Sequence, residues 1–180
     1  MYQIENNLSN KAISDGCKTL THLVNSDKSL IPLIKLLTKR TWLNTEYIPK
    51  SGPAIFFMNH TSYADPFLTS LYFYENGRAV RFFGKSSLFK LPFVGWIVRK
   101  AEQIPVNRES DSAAQALEIA RELLEKGLAV GIYPEGTLTR DENLWPMVAK
   151  TGAVRLAIQT GAPLIPVAQW GAHRIIGRYQ

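Results

Sequence analysis

The sequence predicts an α/β fold, a largely parallel central sheet flanked by helices with a helical segment ahead of it, and three features point to it. Short apolar runs rich in β-branched and aromatic residues alternate with segments of helical spacing. Glycine and proline punctuate the junctions, as at Ser51-Gly52-Pro53, Gly127 and Gly161. The 180 residues, 46% hydrophobic and 20% charged, are enough for one domain with a real core. Strands alternating with helices form βαβ units with right-handed crossovers, hence parallel pairing.

Residues 1–44 form an N-terminal segment and residues 45–180 the α/β domain. Part of 1–28 is expected to be helical. From Ser29 to Arg40 the residues Leu30, Ile31, Leu33, Ile34, Leu36 and Leu37 make a wide apolar face beside Lys35, Lys39 and Arg40. That helix either packs on the domain or lies in a headgroup region with Trp42 as interfacial anchor. Ala54 to Met58 reads as a buried first strand. Pro66 to Asn76 reads as a helix, with Phe67, Leu68, Leu71 and Tyr72 at helical spacing. A second strand follows at Ala79 to Phe83, then a turn at Gly84 to Ser87 and a broken apolar segment from Leu88 to Val98. Glu102 to Val106 is the third strand. The clearest helix is capped by Ser110, Asp111 or Ser112 and stopped by Gly127. Leu128 to Tyr133 is the fourth strand, Val148 to Thr160 a helix, and Leu164 to Gln169 the fifth strand.

Asn59-His60-Thr61-Ser62-Tyr63-Ala64-Asp65 follows the first strand directly. On one continuous helix a five-residue separation turns through about 500°, so His60 and Asp65 would stand roughly 140° apart. They meet only across a strand-to-helix turn, which Asp65 as N-cap and Pro66 as first helical residue would provide. A neutral imidazole whose other nitrogen is held by a carboxylate is a general base with its orienter; the plainer alternative is a capped turn. Ligands of open parallel sheets bind outside the carboxyl ends of the strands. His60, Lys85, Arg108 and Glu135-Gly136 each follow a different predicted strand, so they project at one edge. A base, a carboxylate and two cations suit an alcohol that also carries a phosphate.

Charge supports an anionic partner. Between Asn76 and Arg108 stand Arg78, Arg81, Lys85, Lys90, Arg99, Lys100 and Arg108 against Glu102 alone, which leaves the rest of this +6 chain balanced. Cys17 is the single cysteine, so no internal disulfide framework exists, and it fits a reducing compartment as a small structural residue. The polar start is no secretory signal, and no uninterrupted apolar run approaches the ~20 residues that span a bilayer.

The ordered blocks resemble the glycerophospholipid acyltransferases that include 1-acylglycerol-3-phosphate acyltransferase. Asn59-His60 through Asp65 is similar to that family's catalytic motif, and Ile104-Pro105-Val106-Asn107-Arg108 to its second block. Tyr133-Pro134-Glu135-Gly136-Thr137 matches the third block, and Ala162 to Val167 the fourth; Gly84-Lys85 with Leu91 to Trp96 resembles the linking segment. The likeness covers about Glu46 to Gly171. It implies a glycerol-3-phosphate acyltransferase-like fold and transfer of a fatty acyl group from acyl-CoA or an acyl carrier protein to a lysophospholipid in phospholipid biosynthesis. His60 and Asp65 would be catalytic, while Lys85, Arg108, Glu135, Gly136, Thr137 and Arg140 would bind substrate. The implied setting is peripheral, on the inner face of the cytoplasmic membrane against an anionic surface, with no cofactor and no metal. Two departures stand out. Leu138 and Asn107 replace the usual arginine and aspartate, and Arg140 is a candidate replacement for the former. The chain also stops soon after the fourth block, so an exposed sheet edge is expected.

Rival readings are a non-catalytic lipid- or membrane-binding module of the same fold, a nucleic-acid-binding domain and a hydrolase. Against the nucleic-acid reading, no recognised nucleic-acid motif accompanies the charge. The hydrolase reading lacks a serine elbow, and no phosphate-loop or dinucleotide glycine pattern is present, Gly131 standing isolated.

Overall fold

The computed structural model describes residues 38–100, 103–106 and 110–177. Among the described residues the strands and α-helices follow in order as β1 (Ala54–Met58), α1 (Asp65–Glu75), β2 (Val80–Lys85), α2 (Pro92–Lys100), β3 (Ile104–Val106), α3 (Ser110–Glu125), β4 (Ala129–Ile132), α4 (Gly152–Thr160) and β5 (Leu164–Val167). All five strands run parallel in the order β3-β2-β4-β1-β5.

Alternation along the strands explains the layers, since successive side chains leave opposite faces of a sheet. Ile55 and Val130 face one side, where Ala116, Ala120 and Leu124 of α3 and Ala153 and Leu156 of α4 complete a core. Those α3 positions recur every four residues, which places them on one face of the helix. Phe56, Met58 and Ala129 face the other side with Phe73 of α1, Val80 and Phe82. Covering both faces is what makes β1 and β4 almost wholly buried. Each fully buried aromatic or branched side chain contributes roughly 1.5–3 kcal/mol.

Several elements differ from expectation, each for a visible reason. β2 continues through Gly84 and Lys85, which the sequence placed in a turn, because those residues pair with Pro105 and Val106 of β3. The broken segment resolves into a short 3-10 turn, Ser86–Lys90, and then α2, which Pro92 opens. α4 starts at Gly152 instead of Val148, because the Lys150 amide is drawn away to Pro134 O at 2.9 Å.

The helix expected from Ser29 lies outside the described residues as far as position 37, and residues 38–44 have no regular structure. Trp42, the candidate membrane anchor, is docked on α1. Its ring meets Tyr72 edge-on at 5.2 Å and its indole N–H donates to Glu75 at 2.6 Å. Two members of the basic segment are not surface charges either: Arg78 and Arg81 are buried, and Arg78 donates to the Gly52 carbonyl. Asn107 and Arg108 lie outside the described residues. β5 pairs with β1 alone among the described strands, leaving its outer side as a sheet edge, and Pro166 removes one N–H from it.

Gly131 sits mid-sheet where Phe82 crosses it. A Cβ there would lie 2.4 Å from Phe82 Cε1 and 3.1 Å from Val80 Cγ1. Gly131→Ala is therefore expected to destabilise the domain by about 1–3 kcal/mol through overpacking. Adding Phe82→Leu should make that penalty smaller than it is in the parent, as read by urea denaturation of the four members of the cycle.

Candidate active site

His60 stands two residues past β1, and Asp65 is the first residue of α1. Asp65 is not the cap; Ala64 holds that position. The Asp65 carboxylate instead folds back over the turn. Its Oδ2 accepts from His60 Nδ1 at 2.9 Å, from Thr61 N at 2.6 Å and from Ser62 N at 2.8 Å. Asp65 is fully buried, and the His60 side chain keeps 16% of its surface. With Nδ1–H committed to Asp65, Nε2 retains its lone pair and can accept a proton.

The backbone of His60 is held from the loop after β4. Its N–H donates to Glu135 Oε1 at 3.0 Å, and its carbonyl accepts from Thr139 N at 2.7 Å. The other oxygen of Glu135 accepts from Met147 N at 2.9 Å. Glu135 thus fastens the His60 turn to residue 147 while itself buried. Tyr133 stacks on the imidazole with ring centres 4.2 Å apart.

Below the ring lies a polar cluster. Thr69 Oγ1 is 2.7 Å from the Asp65 carbonyl, 2.7 Å from Gln169 Oε1 and 3.1 Å from the Tyr133 hydroxyl. Gln169, two residues past β5, is joined to Asn59 by three bonds: Asn59 Nδ2 to Gln169 O, Gln169 N to Asn59 Oδ1 and Gln169 Nε2 to Asn59 O. Burial of the Tyr133 hydroxyl, with the Asp65 charge adding to it, raises its pKa well above 10.0 against the opposing hydrogen bond from Thr69.

The structure therefore brings His60, Asp65 and Glu135 together, with Gly136 and Thr137 continuing the same turn. Lys85 closes β2, exposed, and Arg140 is exposed with its N–H 3.4 Å from Met147 Sδ. Neither cation is hydrogen-bonded or ion-paired to His60, Asp65 or Glu135 among the described residues. Thr139 and Gln169 were not singled out by the sequence, and Tyr133 entered only as the opening residue of the third block. A signal for Gln169 existed, since it follows β5 at the same offset at which His60 follows β1.

Comparison with known proteins places the chain in context. The Acyltransferase family model matches residues 39–170. A chloroplastic 1-acyl-sn-glycerol-3-phosphate acyltransferase of Brassica napus is 33% identical over 134 residues, 73% of this chain and 37% of that protein. The enzyme of the same name from Borreliella burgdorferi is 32% identical over 130 residues, 72% of this chain and 50% of the relative. This chain thus spans half or less of the length of these relatives. The crystal structure of the 1-acyl-sn-glycerophosphate (LPA) acyltransferase from Thermotoga maritima superposes with a TM-score of 0.68 at 25% identity, covering 94% of this chain and 62% of that one.

Two stability outcomes follow from the geometry. Glu135→Ala strands two amides and should cost about 2–4 kcal/mol, whereas Glu135→Gln keeps one acceptor and should lose roughly half as much in the same denaturation assay. Because the Tyr133 pKa is raised in the fold, its contribution is intact below the unfolded value of 10.0 and lost as pH rises above it. Wild-type stability should fall more steeply above pH 10.0 than that of Tyr133→Phe, measured by unfolding at a series of pH values.

Proposed function

This chain belongs to the acyltransferase family, and on that footing we propose that it moves a fatty acyl group from an acyl thioester to the free hydroxyl of a lysophospholipid, 1-acyl-sn-glycerol-3-phosphate first among them. The observation that carries the proposal is the 2.9 Å bond from His60 Nδ1 to a buried carboxylate, with Nε2 left to act. Nε2 takes the acceptor's hydroxyl proton as the oxygen attacks the thioester carbonyl. The new C–O bond forms, the C–S bond breaks, and the imidazolium returns its proton to the leaving thiolate. Asp65 holds the tautomer and steadies the imidazolium.

Lys85, Arg108 and Arg140 are proposed contacts for the anionic headgroup, and Glu135, Gly136 and Thr137 form one wall of the acceptor site. The donor is acyl-CoA or an acyl carrier protein. A lipid acceptor is supported by the apolar surface around the site. Tyr63 and Phe67 flank Asp65 and are 59% and 68% exposed, and Ser62 Oγ donates to the carbonyl of exposed Ile176 at 2.6 Å, which ties that residue's backbone to the same turn. Among the described residues no helix is long and apolar enough to cross a membrane. Attachment to the inner face of the cell membrane is proposed on the strength of that surface and the lipid substrate.

The test is acyl transfer to 1-acyl-sn-glycerol-3-phosphate in mixed micelles, with acyl-CoA and acyl carrier protein donors assayed separately. His60→Ala is expected to remain folded by circular dichroism and to lose about 10²–10⁴-fold or more in rate. Full activity in that variant would exclude His60 as the base. A folded wild type that binds lysolipid but transfers from neither donor would leave a lipid-binding module of the same fold.

A further inference from the structure

One cation beside the Gly136 turn belongs to none of the sequence blocks. Lys150 ends the loop between β4 and α4, and its backbone is pinned to the third-block turn by donation to Pro134 O at 2.9 Å. Its side chain lies along that turn. The position a Cβ would take on Gly136 is 2.9 Å from Lys150 Nζ, 3.3 Å from Cε and 3.7 Å from Cδ. Gly136, at φ +72°, leaves the space that the ammonium fills. Lys150 is exposed, and its ammonium has no ion pair among the described residues. Gly136 adjoins Glu135, whose carboxylate receives the backbone N–H of His60, so the His60 backbone and the Lys150 ammonium both meet the Glu135-Gly136 turn.

Leu138, directly after Gly136-Thr137, is buried and apolar. No cation can come from that position. We propose that Lys150 supplies it, binding the phosphate of the acceptor at the Gly136 turn; the inference rests on the acceptor being a phosphate ester, as proposed above. The free hydroxyl of a glycerol phosphate stands only a few bonds from the phosphate, so anchor and base have to be neighbours. An ammonium suits the task as a mobile point charge with three donors.

Wild type, Lys150→Ala, Lys150→Arg and Arg140→Ala are compared on 1-acyl-sn-glycerol-3-phosphate and on the neutral monoacylglycerol. Lys150→Ala should raise KM for the phosphate acceptor by about 10-fold or more with little change in kcat, the pattern of a lost binding contact. KM for monoacylglycerol should stay put, and Lys150→Arg should recover most of the loss. Equal effects on both acceptors, no effect, or a loss confined to Arg140→Ala overturns the assignment. Binding of glycerol 3-phosphate to the full chain, followed by NMR titration, reads the anchor without turnover. Lys150-dependent binding in a protein that transfers no acyl group would sink the acyl-transfer proposal and keep this one. Binding that is absent in the wild type, or indifferent to Lys150, overturns it.

Discussion

A single carboxylate oxygen organises the working end of this molecule. Asp65 Oδ2 gathers the imidazole and two consecutive backbone amides of the turn between β1 and α1. Three donors converging on one buried charge offset the cost of taking that charge out of water. The same contacts hold the turn closed, so the ring direction and the chain direction are set together. Without the carboxylate, Thr61 and Ser62 would lose the acceptor of their amides at the moment His60 lost its orienter.

Strand order supplies the remaining fixtures. β1 lies between β4 and β5, and each neighbour ends in a residue that reaches the His60 turn: Glu135 and Thr139 beyond β4, Gln169 beyond β5. Parallel pairing brings all three strand ends to one edge, where backbone groups released from the ladder need new partners. Asn59 meets that need on one side and Glu135 on the other. The His60 turn is thus an extension of the sheet by side chains.

Much of this was legible in the sequence wherever the signal was local. The apolar run of β1, the five-residue spacing from His60 to Asp65 and the terminating glycines all act within a few residues of themselves and appear where expected, while Pro66 sits one place further into its helix than the capping pattern implied. What escaped depended on distant partners. Charge counting put Arg78 and Arg81 on the surface because composition does not register burial. Trp42 read as an anchor because its docking on Tyr72 and Glu75 spans some thirty positions. That both oxygens of Glu135 are taken by backbone amides, one of them 75 positions away, could not be read from its place in a short block. Lys150 carried no motif, and only the missing Cβ of Gly136 shows where its ammonium rests.

The bonds from Glu135 to residues 60 and 147 have an evolutionary corollary. Surface loops between a strand and a helix ordinarily tolerate insertion and deletion, because their length matters little to the core. Residues 136–146 do not have that latitude: their far end must return to the same carboxylate that holds the backbone of His60. A residue gained or lost in this stretch would be felt at the backbone of His60, far along the chain from the change itself.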